Sequence, residues 1–139
     1  MPAFRHELAI RVGAQSHPGR MRVENQDCIG RSSTAYGELF ILADGVGGYG
    51  GGAEAAEFVV QNFIAHLNQT QAANAADALR AAGRDTGREL WRRGNAPGGA
   101  PGMSSTVVAA LIQHQEATIA HAGDSRAYLV RDGRLLPLP

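Results

Sequence analysis

The sequence has no lysine: all thirteen of its basic residues are arginine, and they balance thirteen acidic residues to a formal net charge of zero. A neutral chain exerts no long-range pull on a polyanion, so nucleic acid is not expected as its partner. The absence of lysine also excludes a Walker-type phosphate loop, whose G-x-x-x-x-G-K-[ST] motif requires one. Only one cysteine, Cys28, is present, so no internal disulfide can form and a reducing cytoplasm is the expected location. No apolar run approaches the roughly 20 residues that span a bilayer, and residues 1–13 lack the apolar core of a signal peptide, so no membrane partner is expected. There is no internal repeat and no run of like charge.

What is present is a chain of 139 residues, 44% of them hydrophobic, with 18 glycines concentrated in a few places. That length suits a single domain, residues 1–139, able to bury about two-thirds of its unfolded surface. Arginine without lysine, beside abundant alanine and glycine, is the composition of a GC-rich coding sequence.

Glu7 to Ala14 alternates loosely and predicts a strand, followed by a loop at Ser16–Arg20. Leu39 to Ala43 is a continuous apolar run ending at Asp44-Gly45, the pattern of a strand buried on both faces. A glycine-rich loop, Gly45 to Gly52, leads into a helix whose apolar face carries Ala56, Val59, Val60, Phe63, Ile64 and Leu67. A second helix is expected from about Ala72 to Arg93, with Ala75, Ala78, Leu79, Ala82, Thr86 and Leu90 facing inward and Gly83 and Gly87 weakening it. Gly94 to Gly102 reads as a loop. Strands follow at Thr106–Ile112, Ala117–Ala122 and Ala127–Val130, and the Asp132-Gly133 turn leads into Leu135–Leu138. Strands clustered at both ends of a helix pair predict an α+β fold with that pair packed on a sheet.

Three aspartates stand beside turns at predicted strand ends: Asp27, Asp44 before Gly45, and Asp124 after Gly123. Rigid carboxylates at strand ends, with a glycine that lets a backbone carbonyl approach, are what a hard divalent cation needs. Singly, each reads as an ordinary turn cap, and Arg22 as a solvated surface residue. The spacing G-x-G-x-x-G occurs at Gly45, Gly47 and Gly50, but no acidic residue lies between Gln69 and Ala76 to close a dinucleotide-binding unit.

Taken in order, Arg22-x-x-x-Gln26-Asp27, Leu39 to Gly48 with Asp44-Gly45-Val46, Gly102-Met103-Ser104-Ser105-Thr106 and Gly123-Asp124-Ser125-Arg126 resemble the PPM/PP2C family of metal-dependent protein serine/threonine phosphatases, in its bacterial type. The resemblance runs from about residue 8 to residue 136. It implies a layered β-sandwich flanked by helix pairs, here present only in part, and a bacterial signalling enzyme that hydrolyses phosphoserine and phosphothreonine in proteins through a metal-bridging water, opposing a Ser/Thr kinase. It further implies that Asp44 bridges two Mn²⁺ or Mg²⁺ ions, that the Gly45 carbonyl ligates one, that Asp27 serves the second, and that Asp124 helps bind a third, weaker one. Arg22 is implied as the holder of the substrate phosphate, a role suited to its planar, permanently charged fork.

The chain departs from the family in three respects. Gln26 stands where a glutamate is common. Val46 stands where eukaryotic members often have a histidine able to protonate the leaving alcohol, and nothing in the sequence brings His17, His66, His114 or His121 there. The family domain also continues beyond this length with further metal-binding aspartates. The chain is therefore expected to be a C-terminally truncated piece of a longer phosphatase. The alternative is a catalytically incomplete half-domain that binds a phosphoprotein or a partner chain.

Overall fold

The computed structural model describes residues 9–48 and 51–139, and its framework begins with an antiparallel hairpin of β1 (Asp27–Thr34) and β2 (Gly37–Val46). Thr34 closes the turn: its hydroxyl donates to the Gly37 carbonyl at 2.8 Å and accepts the Tyr36 N–H at 3.1 Å. Helices α1 (Gly51–Gln69) and α2 (Ala75–Asn95) follow, then the short β3 (Ser104–Ser105), β4 (Val107–Gln113), β5 (Glu116–Ala122), β6 (Ala127–Arg131) and β7 (Arg134–Leu138). The main sheet runs β1-β2-β4-β5 with every neighbour antiparallel, β3 pairs with the far end of β2, and β6 and β7 form a separate hairpin.

Both helices lie on one face of the sheet. Leu39, Ile41 and Ala43 alternate along β2 toward that face, joined by Ala109 and Leu111 of β4, and all are buried. Against them pack Ala55, Ala56, Val59, Val60, Phe63 and Leu67 of α1, with Ala78, Leu79, Ala82, Thr86 and Leu90 of α2 behind. These are the stripes that the sequence predicts, except that Ile64 and Ala75 are half-buried. Gly83 faces the Phe63 ring, but a Cβ there would stand 3.5 Å from it, an ordinary contact, so the packing does not require glycine at this position. The Asn74 side chain caps α2 by accepting the Asp77 N–H at 2.9 Å, which starts the helix at Ala75 rather than Ala72. The Tyr36 hydroxyl, shared between the carbonyls of Thr70 (3.2 Å) and Ala72 (3.0 Å), fastens the first hairpin to the link between the helices.

Three sequence expectations are corrected. The first strand is β1, not Glu7–Ala14: residues 9–14 form no strand, and Glu7 and Leu8 lie outside the described residues. β2 is buried on one face only, for Leu42 on the other is 37% exposed. The expected loop Gly45–Gly52 is shorter: Gly45 and Val46 end β2, Gly51 and Gly52 start α1, and Gly47 and Gly48 between them belong to neither, with Tyr49 and Gly50 outside the described residues. The alternation near residue 10 has a different use. Residues 10–15 lie along the bare face of the sheet, and with Ile29, Phe40, Leu42, Val108, Ala110 and Ile112 they line a groove of about 730 Å³.

Candidate functional site

The β1–β2 ladder ends on Asp27 opposite Asp44, and directly opposed residues share a face of the sheet. That face is the one turned away from the helices, because Ala43 and Gly45 on either side of Asp44 are the buried ones. Asp44 is fixed by its backbone: its N–H donates to the Thr106 hydroxyl at 3.1 Å, and its carbonyl accepts the Thr106 N–H at 2.9 Å and the Ser105 hydroxyl at 3.1 Å. The Thr106 oxygen is also 2.7 Å from the Ser125 hydroxyl, so one buried side chain ties the Gly123–Arg126 loop to the end of β2. Gly123 has φ +100, and a Cβ there would press on the Thr106 methyl at 2.8 Å, so the loop closes this tightly only with glycine.

From the other side comes the segment before β1. The Arg22 guanidinium donates to the Gln26 side-chain carbonyl at 3.2 Å, and the Gln26 backbone carbonyl accepts the Gly45 N–H at 2.9 Å. Asn25 accepts the Asp27 N–H at 3.0 Å and donates to Ser16 at 2.7 Å. Gly45 itself is buried against the start of α1, where a Cβ would collide with the Gly52 carbonyl.

These neighbours converge electrostatically on Asp44, whose carboxyl titrates above the usual aspartate range. Burial is the largest cause; the Asp27 charge adds to it, Arg22 opposes it, and Asp124 and a hydrogen bond that protonated Asp44 donates to Asp27 push it further up. Asp27, Arg22 and Asp124 thus all lie within electrostatic reach of Asp44. Two carboxylates held together against their own repulsion, with a third in reach, fit a hard divalent cation, which takes oxygen ligands and supplies the missing positive charge. No group of three or more His, Cys, Asp or Glu close enough to hold a metal occurs among the described residues, so Asp124 stands near the carboxylate pair without forming a triad with it.

The histidines among the described residues lie elsewhere. His17 accepts the Gly19 N–H at 2.9 Å, His66 sits between the helices 3.2 Å from Glu89, His114 is in the β4–β5 turn, and His121 pairs with Val108 across β4 and β5. Val46 follows Gly45 on the bare face, exposed. Sequence reading gave no role to Thr106, Ser105, Ser125 or Asn25; the signal was the Ser-Ser-Thr run entering a strand, whose hydroxyls have only backbone and loop partners to bond.

Residues 19–139 match the family described as Protein phosphatase 2C. The chain belongs to that family. Among curated protein phosphatases, it is 33% identical to the serine/threonine protein phosphatase PstP of Mycobacterium tuberculosis, over 92% of this chain and 24% of PstP. It is 30% identical to the serine/threonine phosphatase stp of Listeria monocytogenes, over 82% of this chain and 47% of stp. In three dimensions it resembles the catalytic domain of PstP in complex with 2 manganese ions, with TM-score 0.76 and 30% identity, over 90% of this chain and 53% of that one. The chain therefore spans between about a quarter and about half of the phosphatases it matches. No helix among the described residues is long and apolar enough to cross a membrane.

Proposed function

We propose that the chain carries part of the active site of a divalent-metal-dependent phosphatase acting on phosphoserine and phosphothreonine in proteins, a bacterial signalling enzyme opposing a Ser/Thr kinase in the cytoplasm. The observation that carries this reading is the Asp27–Asp44 pair closing the β1–β2 ladder with Arg22 beside it. Asp44 and Asp27, with the Gly45 carbonyl, would hold two ions, and Asp124 would contribute to a third, weaker site. Manganese is the first ion to test, because the solved PstP domain contains it. Bound there, such ions supply Lewis acidity for attack of water at phosphorus. Arg22 takes the phosphate oxygens through its planar fork, and its hydrogen bond to Gln26 sets the direction of that fork. Thr106 and Ser105 keep the Asp44 backbone from moving as the charge at the site changes.

A second reading, a half-domain that binds a phosphoprotein without turnover, rests on the absence of a three-residue metal-holding group among the described residues. Calorimetry with Mn²⁺ and Mn²⁺-dependent hydrolysis of p-nitrophenyl phosphate separate the two. Asp44→Asn is expected to remove Mn²⁺ binding and to lower turnover by about 100-fold or more, the scale set by removing one electrostatic group from an active site. Arg22→Ala is expected mainly to raise KM, by about tenfold, the cost of one charge-assisted hydrogen bond. Full activity in Asp44→Asn would overturn the metal-holding role. Mn²⁺ binding by the 139-residue chain, with turnover only in a polypeptide extended past Pro139, would show that the chain is a fragment of such an enzyme, whereas no turnover in either would assign it the second reading.

A further inference from the structure

We infer that the outward face of α2 docks an acidic segment of a partner protein. Arg80, Arg84, Arg88 and Arg92 recur every fourth residue, and each step of four turns the helix by about 40°, so the four guanidinium groups form one shallow spiral stripe. The inward residues of the same helix are buried, which fixes the stripe on the solvent side. Its charge is not balanced locally. Asp77 lies 3.1 Å from Arg80, and Asp85 lies 3.4 Å from Arg84 and 4.0 Å from Arg88, while Arg92 has no ion-pair partner among the described residues. Four cations thus face two carboxylates in a chain that is neutral overall. The other charges of the helix are turned elsewhere: Glu89 to His66, and Arg93 to Glu54 and the Phe58 ring.

A charged helix face is ordinarily just solvated. Trp91 distinguishes this one. It is the only tryptophan of the chain, it lies within the arginine stripe, and it is 69% exposed. Exposed Trp and Arg side by side make the composition of an interface centre, where an indole buries a large area at little entropic cost and guanidinium forks take carboxylates in pairs. Asp77 and Asp85, interleaved with the arginines, decide the class of partner. They would repel the dense phosphates of a nucleic acid or an anionic membrane. A peptide can instead place its carboxylates against the arginines and leave the aspartates facing water. The apolar stripe of α2 is committed to the core, so the helix cannot turn to insert into lipid. The proposal stands independently of the phosphatase reading, since none of these residues belongs to the metal-holding or phosphate-holding set.

The test uses a fluorescein-labelled 15-residue peptide with glutamates at four-residue spacing around a central leucine, its glutamine-for-glutamate twin, a 15-nucleotide single-stranded RNA and phosphatidylserine vesicles. The acidic peptide is expected to bind saturably, by anisotropy, and to shift Trp91 emission to the blue. The glutamine twin should bind at least tenfold more weakly, as should the acidic peptide to the Arg84→Glu/Arg88→Glu variant. Trp91→Ala should weaken binding severalfold. Far-UV circular dichroism establishes that each variant is folded, as substitutions of exposed side chains should be. Equal binding of the two peptides, unchanged binding by the double variant, or tighter binding of the RNA or the vesicles would each overturn the proposal.

Discussion

Asp44 is the residue on which the electrostatics of the fold turn. Its carboxyl titrates above an ordinary aspartate because burial and then the Asp27 charge disfavour its ionised form, with Arg22 only partly compensating. The sign for stability follows directly. A group whose folded-state pKa is raised stabilises the fold below the unfolded pKa, and that contribution is lost as pH rises through the carboxylate range. In EDTA, the melting temperature of the wild type should therefore decline, as pH rises above the ordinary aspartate range, more than that of Asp44→Asn, and the variant should melt higher at pH 7. A wild type that melts as high as the variant at pH 7 without metal would show that the carboxylate pair is not strained. The same substitution should abolish Mn²⁺ binding, so one change raises stability and removes function. Asp44 was legible in the sequence because an apolar run breaks on it. The hydroxyl pair of Thr106 and Ser125 was not, because serine and threonine at a strand entry and in a turn look alike whether they bond across the fold or to solvent.

Among the elements, the helices were legible and the first strand was not, for one physical reason. A helix buries a stripe of large side chains, and Ala56, Val59, Val60, Phe63 and Leu67 repeat at helical spacing. The inward side of β1 carries Cys28, Gly30, Ser32 and Thr34, small residues pressed under α1, and these give no hydrophobic period to read. Gly30 shows how close the approach is: a Cβ there would stand 3.1 Å from an Ile41 methyl and 3.3 Å from one of Ile64. Burial also raises the Cys28 thiol pKa, with Glu57 adding to it, which disfavours the reactive thiolate. The junction between β2 and α1 yields the prediction at this scale. Gly45→Ala forces a Cβ onto the Gly52 carbonyl and should cost about 1–3 kcal/mol in urea denaturation, the usual penalty for overpacking. Gly48→Ala, where nothing lies within 4 Å of the added carbon, should change stability by less than about 0.5 kcal/mol. Equal effects at the two positions would mean that the strand end and the helix start are not packed backbone to backbone.

On the scale of the whole molecule, the sheet is covered by helices on one side and by little on the other. The bare side is apolar, with Leu42 and Ile29 37% and 40% exposed beside Phe40, Val108 and Ala110, and the separate β6–β7 hairpin exposes Val130 and Leu135 of its own. Patches of this kind bind hydrophobic dyes and drive self-association. The 139-residue chain should therefore enhance anilinonaphthalene sulfonate fluorescence while keeping native circular dichroism. Leu42→Gln should reduce that enhancement, whereas Trp91→Gln on the opposite side should not. An enhancement unaffected by Leu42→Gln would place the dye elsewhere. The α+β class and the helix pair could be read from the sequence. That β2 is clothed on one face only could not, because an unbroken apolar strand looks the same whether its second face is covered or bare.

The Asp27–Asp44 register also bears on the order in which the protein is made. Both carboxylates, together with Arg22 and Gln26, belong to one hairpin and the few residues before it, a unit of low contact order that can close as soon as it leaves the ribosome. The remaining contacts of the site, through Thr106 and Ser125, arrive only after both helices have been synthesised. A cation captured by the nascent hairpin would thus act as a template, fixing the pairing of its two strands before the rest of the sheet exists to enforce it.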